Sequence, residues 1–340
     1  MMAIVGCEAR HRWLMGQCQD PPFSLCWPAC DLAFRRLFLI ASHIMDHTPL
    51  TLRASAAAFF SLADSGRNGW WRYTWGVVLI VAVWLFAGGL VSPLLWPLPL
   101  GGVREFVATN VDFMLMMSGV VMVHVLVHHR PWRTLITSRS SLSWRRLFEG
   151  AALWGVLMLL IVVLESALYP GRYVWSFDPQ RWPQFFVLAL LLTPIQCTAE
   201  ELLFRGYLLQ AIGRVFHNPF VSAALSSLLF AAPHLLNPEA TAHGLLIMAA
   251  TYFTMAMFLA LVALRDAGLE LAIGAHAANN FFLIVFFGYK DSPLPASAMF
   301  TTEAYDPVFS LVSILAAACV FYTCFFGRAH RHANGQQTGA

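Results

Sequence analysis

Residues 184–205 read QFFVLALLLTPIQCTAEELLFR, and two properties of this stretch decide the fold. It is apolar for about the 20 residues that an α-helix needs to cross roughly 30 Å of bilayer hydrocarbon. It then ends in two adjacent carboxylates and a guanidinium, groups that lipid excludes unless they have partners and a purpose. Runs of the same apolar kind recur outward from it at 75–96, 108–127, 147–168, 219–236, 243–264, 269–287 and 307–326. Their number and length predict an all-α, polytopic membrane protein with about eight transmembrane helices enclosing an intramembrane polar cavity.

Composition points the same way. The 340 residues are 59% hydrophobic and 11% charged, against roughly 25% charged in an ordinary soluble domain. The expected surroundings are therefore a lipid bilayer. The net charge of +3 is small, so nucleic acid is not an expected partner. Cys7, Cys18, Cys26, Cys30, Cys197, Cys319 and Cys324 contain no repeated CxxC pair. Cys26 and Cys30 have no second pair to complete a metal site, and no disulfide framework is indicated.

The 128–146 connection carries Arg130, Arg133, Arg139, Arg145 and Arg146 and no acidic residue. Short basic loops stay on the cytoplasmic side. This loop is therefore expected inside, the 97–107 and 169–183 loops outside, and both termini in the cytoplasm, in a membrane of the bacterial inner (plasma) type. Tyr73, Trp75, Trp96, Trp132, Trp144, Tyr169, Tyr173, Trp175 and Trp182 gather at span ends, where amphipathic rings meet headgroups. The 169–183 loop is expected along the membrane surface. Residues 1–44 show no cleavable signal peptide. Translation is expected to begin at Met45, which leaves 1–44 as an upstream over-extension or a disordered arm and makes the following stretch a basic, aromatic membrane-surface segment.

Ionisable and amide groups inside the spans concentrate in three places. In Glu200-Glu201-Leu202-Leu203-Phe204-Arg205, Glu201 and Arg205 are one turn apart and can pair. Glu200 lies about 100° away around the helix and faces another neighbour. Taken alone, this string reads equally well as a solvated interfacial charge cluster. His234 follows Pro233 late in an apolar helix, and alone reads as a hydrogen-bonded core histidine. His276 and Asn280 share a helix face, and alone would suit a helix–helix hydrogen-bonding patch. Asp112, His124 and Glu165 lie near span ends and His243 begins the sixth span, which makes them weaker candidates.

Taken in order, Glu200-Glu201-xxx-Arg205, Phe230-xxx-His234 and His276-xxx-Asn280 resemble the three motifs of the CPBP family. This is the CAAX-protease and bacteriocin-processing group of intramembrane proteases, related to type II CAAX prenyl endopeptidases. The resemblance covers roughly 75–326 and is most specific over 198–282. It implies an intramembrane protease domain at 75–326, between an N-terminal cytoplasmic or membrane-surface segment at 1–74 and a cytoplasmic tail at 327–340. The implied activity is hydrolysis of peptide bonds in a membrane-associated protein or peptide substrate, near the cytoplasmic face. The implied site is Glu200, Glu201, Arg205, His234, His276 and Asn280. Glu200 would activate water, His234 would hold it, and His276 and Asn280 would donate to the oxyanion. Glu201 and Arg205 would orient Glu200. No cofactor is expected; were zinc present, Glu200, His234 and His276 would be its ligands, although no HExxH motif occurs. Two other readings stay open: a non-catalytic scaffold or bacteriocin self-immunity protein of the same fold, and a transporter, for which inverted repeats would be the sign.

Overall fold

The computed structural model describes residues 49–95, 97, 98, 100, 103–290, 292 and 296–327. The expectations for residues 1–44, for Cys26 and Cys30, and for the tail beyond residue 327 lie outside these.

After α1 (Pro49–Phe60) the chain forms α2 (Trp70–Leu95), α3 (Arg104–Val127), α4 (Trp144–Leu168) and α5 (Trp182–Phe216). It continues through α6 (Pro219–His234), the short α7 (Pro238–His243), α8 (Leu245–Asp266), α9 (Glu270–Val285) and α10 (Pro307–Phe326). Each apolar run of the sequence contains a helix. Among the described residues six helices, α2, α3, α4, α5, α8 and α10, are long and apolar enough to cross a membrane. The remaining two, α6 and α9, have 16 residues each. At 1.5 Å per residue that is about 24 Å, short of the roughly 30 Å of hydrocarbon. The eight expected spans are thus six full-length helices and two short ones. The short ones carry His234 and His276, and α9 is wedged between α4 and α5 while α6 lies against α8.

The α4–α9 contact depends on glycine. A Cβ on Gly274 would overlap the Leu147 carbonyl oxygen, and one on Gly150 would sit 2.5 Å from that of Leu271. Small residues of this kind let two apolar helices approach backbone to backbone. Gly274→Leu is expected to force α4 and α9 apart and lower the thermal midpoint of the detergent-solubilised protein. Gly155→Leu on α4, where a Cβ meets nothing within 4 Å, should leave that midpoint unchanged. Beneath the contact, the fully buried Trp154 stacks on Phe258 at 4.8 Å between ring centroids and meets Phe321 edge-on at 6.0 Å. Leu159, Leu160, Val163 and Leu164 of α4 are exposed, as suits a face turned to lipid.

The two ends of the bundle differ. At one, Arg139 binds Asp266 at 2.9 Å and Glu270 at 3.2 Å, and Arg146 Nε donates to Asp266 at 2.9 Å. Leu269 N–H donates to the Ile136 carbonyl at 2.8 Å. The 128–146 connection is therefore clamped across the α8–α9 turn. Beside it, Tyr207 O–H donates to His128 Nε2 at 2.9 Å, while His128 Nδ1–H donates to the Arg67 carbonyl at 2.8 Å. This needs a neutral imidazole, and burial, aided by the Arg130 and Arg72 charges, holds His128 below the usual histidine range. Gln210 closes the same end by donating to the Thr134 carbonyl at 2.7 Å.

α1 also packs at this end. Leu52, Ala56 and Phe59 form a buried stripe at helical spacing, and α1 belongs to the compact unit that starts at Pro49. At the opposite end, β1 (Val174–Trp175), β3 (Phe300–Thr302) and β2 (Phe287–Tyr289) form a small sheet in that order, with β1–β3 antiparallel and β2–β3 parallel. The 169–183 loop, expected along the membrane surface, is thereby tied to the 286–306 connection.

Candidate active site

α5, at 35 residues, is the longest of the spans. Directly after Glu200 and Glu201 it passes through a π-helical stretch, Leu202–Leu208, a wide turn of the sort that recurs at functional sites. Glu201 and Arg205 pair as their spacing predicts. Arg205 Nη1 donates to Glu201 Oε1 at 2.9 Å, with both side chains fully buried. Arg205 Nη2 donates to the Ala256 carbonyl at 3.1 Å, and the guanidinium lies 4.5 Å from the centre of the Phe230 ring.

The same Glu201 oxygen accepts a hydrogen bond from His276 Nδ1–H at 2.8 Å. The Glu201–Arg205 pair therefore orients His276 on α9, where the sequence suggested that it orients Glu200. A carboxylate on one ring nitrogen fixes which face of an imidazole is turned to the chemistry. Glu200 points elsewhere, as the helix geometry requires. Its Oε2 lies 3.7 Å from His276 Nε2, beyond direct hydrogen bonding and close enough for one water to touch both groups.

His234 ends α6 with its Nδ1–H donating to the Phe230 carbonyl at 2.8 Å and its ring stacked on Phe230. Nε2 is left as its second polar atom. Asn280 is set by a relay: Trp154 Nε1–H donates to Asn279 Oδ1 at 3.2 Å, and Asn279 Nδ2 donates to Asn280 Oδ1 at 3.2 Å. The protons on Asn280 Nδ2 remain for another acceptor.

Glu200, His234, His276 and Asn280 line a single cavity of about 390 Å³. Glu200 is 6% exposed and His276 4%, so the cavity is shielded around them. Glu201 and Arg205 stand behind its wall. Asp112, His124, Glu165 and His243 do not line it. His124 bonds Thr134 at 2.8 Å, and Glu165 accepts from Arg172 and from Tyr173, each at 2.6 Å. His243 closes α7 and does not begin the next span.

Tyr252, Glu239, Asn279 and Trp154 were not singled out from sequence. Tyr252 lies beside His234, with ring centroids 4.7 Å apart, and accepts from Asn237 Nδ2 at 3.0 Å. Glu239 accepts from Tyr289 O–H. Asn279 had a usable signal, a second amide next to Asn280 in an apolar helix. Glu239 and Tyr289 had none, since only the folded chain brings their connections together.

The zinc set Glu200, His234 and His276 requires three donors converging on one point. Among the described residues no three His, Cys, Asp or Glu groups do so. The arrangement does not fit a zinc, and no chemical step is drawn through one.

Residues 180–282 match the family described as type II CAAX prenyl endopeptidase Rce1-like. The chain is also 32% identical over 215 residues, 63% of its length and 72% of the relative's, to the uncharacterized protein YyaK of Bacillus subtilis (strain 168). This chain belongs to the Rce1-like CAAX protease family. The matched segment runs from the start of α5 into α9 and contains all six motif residues. Membership in this protease family and the six long apolar helices make this Rce1-like chain an integral membrane protein of hydrolase type.

Proposed function

We propose that the protein is an intramembrane endopeptidase in which Glu200 activates a water against a peptide bond of a membrane-associated protein or peptide. The observation that supports this best is the convergence of Glu200, His234, His276 and Asn280, from three helices, on one shielded cavity. In this reading the water lies between Glu200 and His276 Nε2, and His234 Nε2 holds it from the side. Glu200 takes a proton as the water oxygen bonds to the carbonyl carbon. Asn280 Nδ2 donates to the oxygen that becomes anionic. Glu200 then returns the proton to the departing nitrogen as the C–N bond breaks, giving a carboxylate and an amine. Glu201, Arg205, Asn279 and Trp154 are positioning residues. His276 borders the water in this scheme, whereas the motif resemblance cast it as an oxyanion donor.

The membrane proposed is a bacterial plasma membrane with the arginine-rich end and both termini in the cytoplasm. The test is cleavage of a panel of acyl-anchored fluorogenic peptides by the full chain in proteoliposomes. His234→Ala is expected to lower the rate by about 10²-fold or more, the usual worth of a positioned proton-handling group. Exhaustive chelation is expected to leave the rate unchanged. A rate lost on chelation and restored by zinc would return the metal reading.

A further inference from the structure

Gln196 precedes Glu200 by one turn of α5 and lines the same cavity. Four residues of α-helix bring two side chains onto one face, about 6 Å apart along the axis. Gln196 is only 3% exposed, and among the described residues its carboxamide makes no hydrogen bond. Its polar atoms are not sealed in the packing, as Thr193 Oγ1 just before it is. The other carboxamides of the cavity are engaged: Asn279 bonds Trp154 and Asn280, and Asn237 bonds Tyr252. Trp84 of α2, with Phe113 and Met116 of α3, makes much of the remaining wall apolar.

A carboxamide withdrawn from water without a partner is costly, and the cost is recovered when a bound molecule supplies the missing donor and acceptor. The shape of the group says what that molecule offers. A carboxamide holds an acceptor oxygen and two donor protons in one plane. A residue of extended peptide turns its own N–H and C=O to one side, which is how paired antiparallel strands exchange two bonds. Gln196 Oε1 can accept from that N–H while Nε2 donates to that C=O. Extended chain advances about 3.3 Å per residue, so the 6 Å or so from Glu200 to Gln196 spans about two residues.

We infer that Gln196 grips the main chain of an extended peptide about two residues from the bond that Glu200 attacks. This rests on the protease reading and specifies its substrate class. The site takes segments that are extended or unwound where they are cut, because a helix has already spent its N–H and C=O groups on itself. At the gripped residue it reads backbone and not side chain.

Binding to the full chain carrying Glu200→Gln, in proteoliposomes, separates this from catalysis. The probe is a fluorescein-labelled peptide from the acyl-anchored panel, made as a series in which one backbone N–H at a time becomes an ester oxygen. One replacement is expected to weaken binding about tenfold, the usual worth of a hydrogen bond whose partner is left buried and unmade. Adding Gln196→Met is expected to weaken binding of the parent peptide about tenfold and to abolish sensitivity to that ester. Gln196→Leu carries the same expectation, should the first variant fail to fold. A role confined to packing would lower affinity for every peptide alike and keep the ester effect. That result would overturn the inference, as would undiminished affinity in Gln196→Met, a series in which no ester matters, or no binding of any panel peptide. If the ester effect depends on Gln196 while the wild-type chain cleaves none of the panel, the protease reading fails and the peptide-binding site stands.

Discussion

Glu200→Gln abolishes peptide-bond cleavage and leaves folding and membrane insertion intact: this is the largest functional effect expected of any single substitution. The amide keeps the volume and hydrogen-bonding size of the carboxylate, so the cavity wall is preserved. It cannot take a proton from water, and the general-base contribution, typically about 10²–10⁴ in rate, is lost together with the return of that proton to the leaving nitrogen. Among the described residues Glu200 makes no ion pair shorter than its 3.7 Å approach to His276, so its loss should cost little stability. The checks are turnover of the acyl-anchored peptides and the thermal midpoint of the same preparation. Wild-type turnover by this variant would remove Glu200 from the mechanism and favour a scaffold that keeps the fold without the chemistry.

Glu201→Gln has the opposite profile, with its main effect on stability. Glu201 is fully buried and holds Arg205 at 2.9 Å and His276 at 2.8 Å through a single oxygen. Neutralising it leaves a guanidinium with no anionic partner in a fully buried position. Breaking one side of a buried ion pair typically costs about 3–5 kcal/mol. The variant is expected to unfold at a markedly lower temperature in detergent. Replacing both partners, as Glu201→Leu with Arg205→Met, should recover a large part of the loss, because the unpaired charge is gone. Activity should not return with it, since His276 would then have no carboxylate on Nδ1. If Glu201→Gln melted with wild type, the pair would not be the anchor of this helix.

Much of this was legible before any coordinates, because lipid makes sequence unusually informative. A long apolar run bounded by polar residues has few alternatives to a helix, so every span was found. What apolar length cannot reveal is where each helix stops: α6 and α9 read like their neighbours yet have 16 residues each, about 24 Å, short of the roughly 30 Å of hydrocarbon. The extent of α5 was also missed. Its polar continuation past Arg205 stays helical because Tyr207 and Gln210 find partners in the 128–146 connection, a tertiary compensation that no local pattern shows.

The site was legible residue by residue and only partly as an arrangement. Spacing along one helix predicted that Glu201 and Arg205 pair and that Glu200 turns away. It could not show that His276, 75 residues further on, completes the pair, or that Trp154 sets Asn280 through Asn279.

The most direct test of Glu200-dependent hydrolysis is a comparison of membrane peptides from cells that carry the wild-type chain with those from cells that carry Glu200→Gln, grown to matched protein levels and pulsed in ¹⁸O-water. The expected result is at least one peptide present whole in the variant and cut in the wild type, with ¹⁸O in the new carboxylate. Identical peptide populations, with the variant folded and inserted, would contradict it.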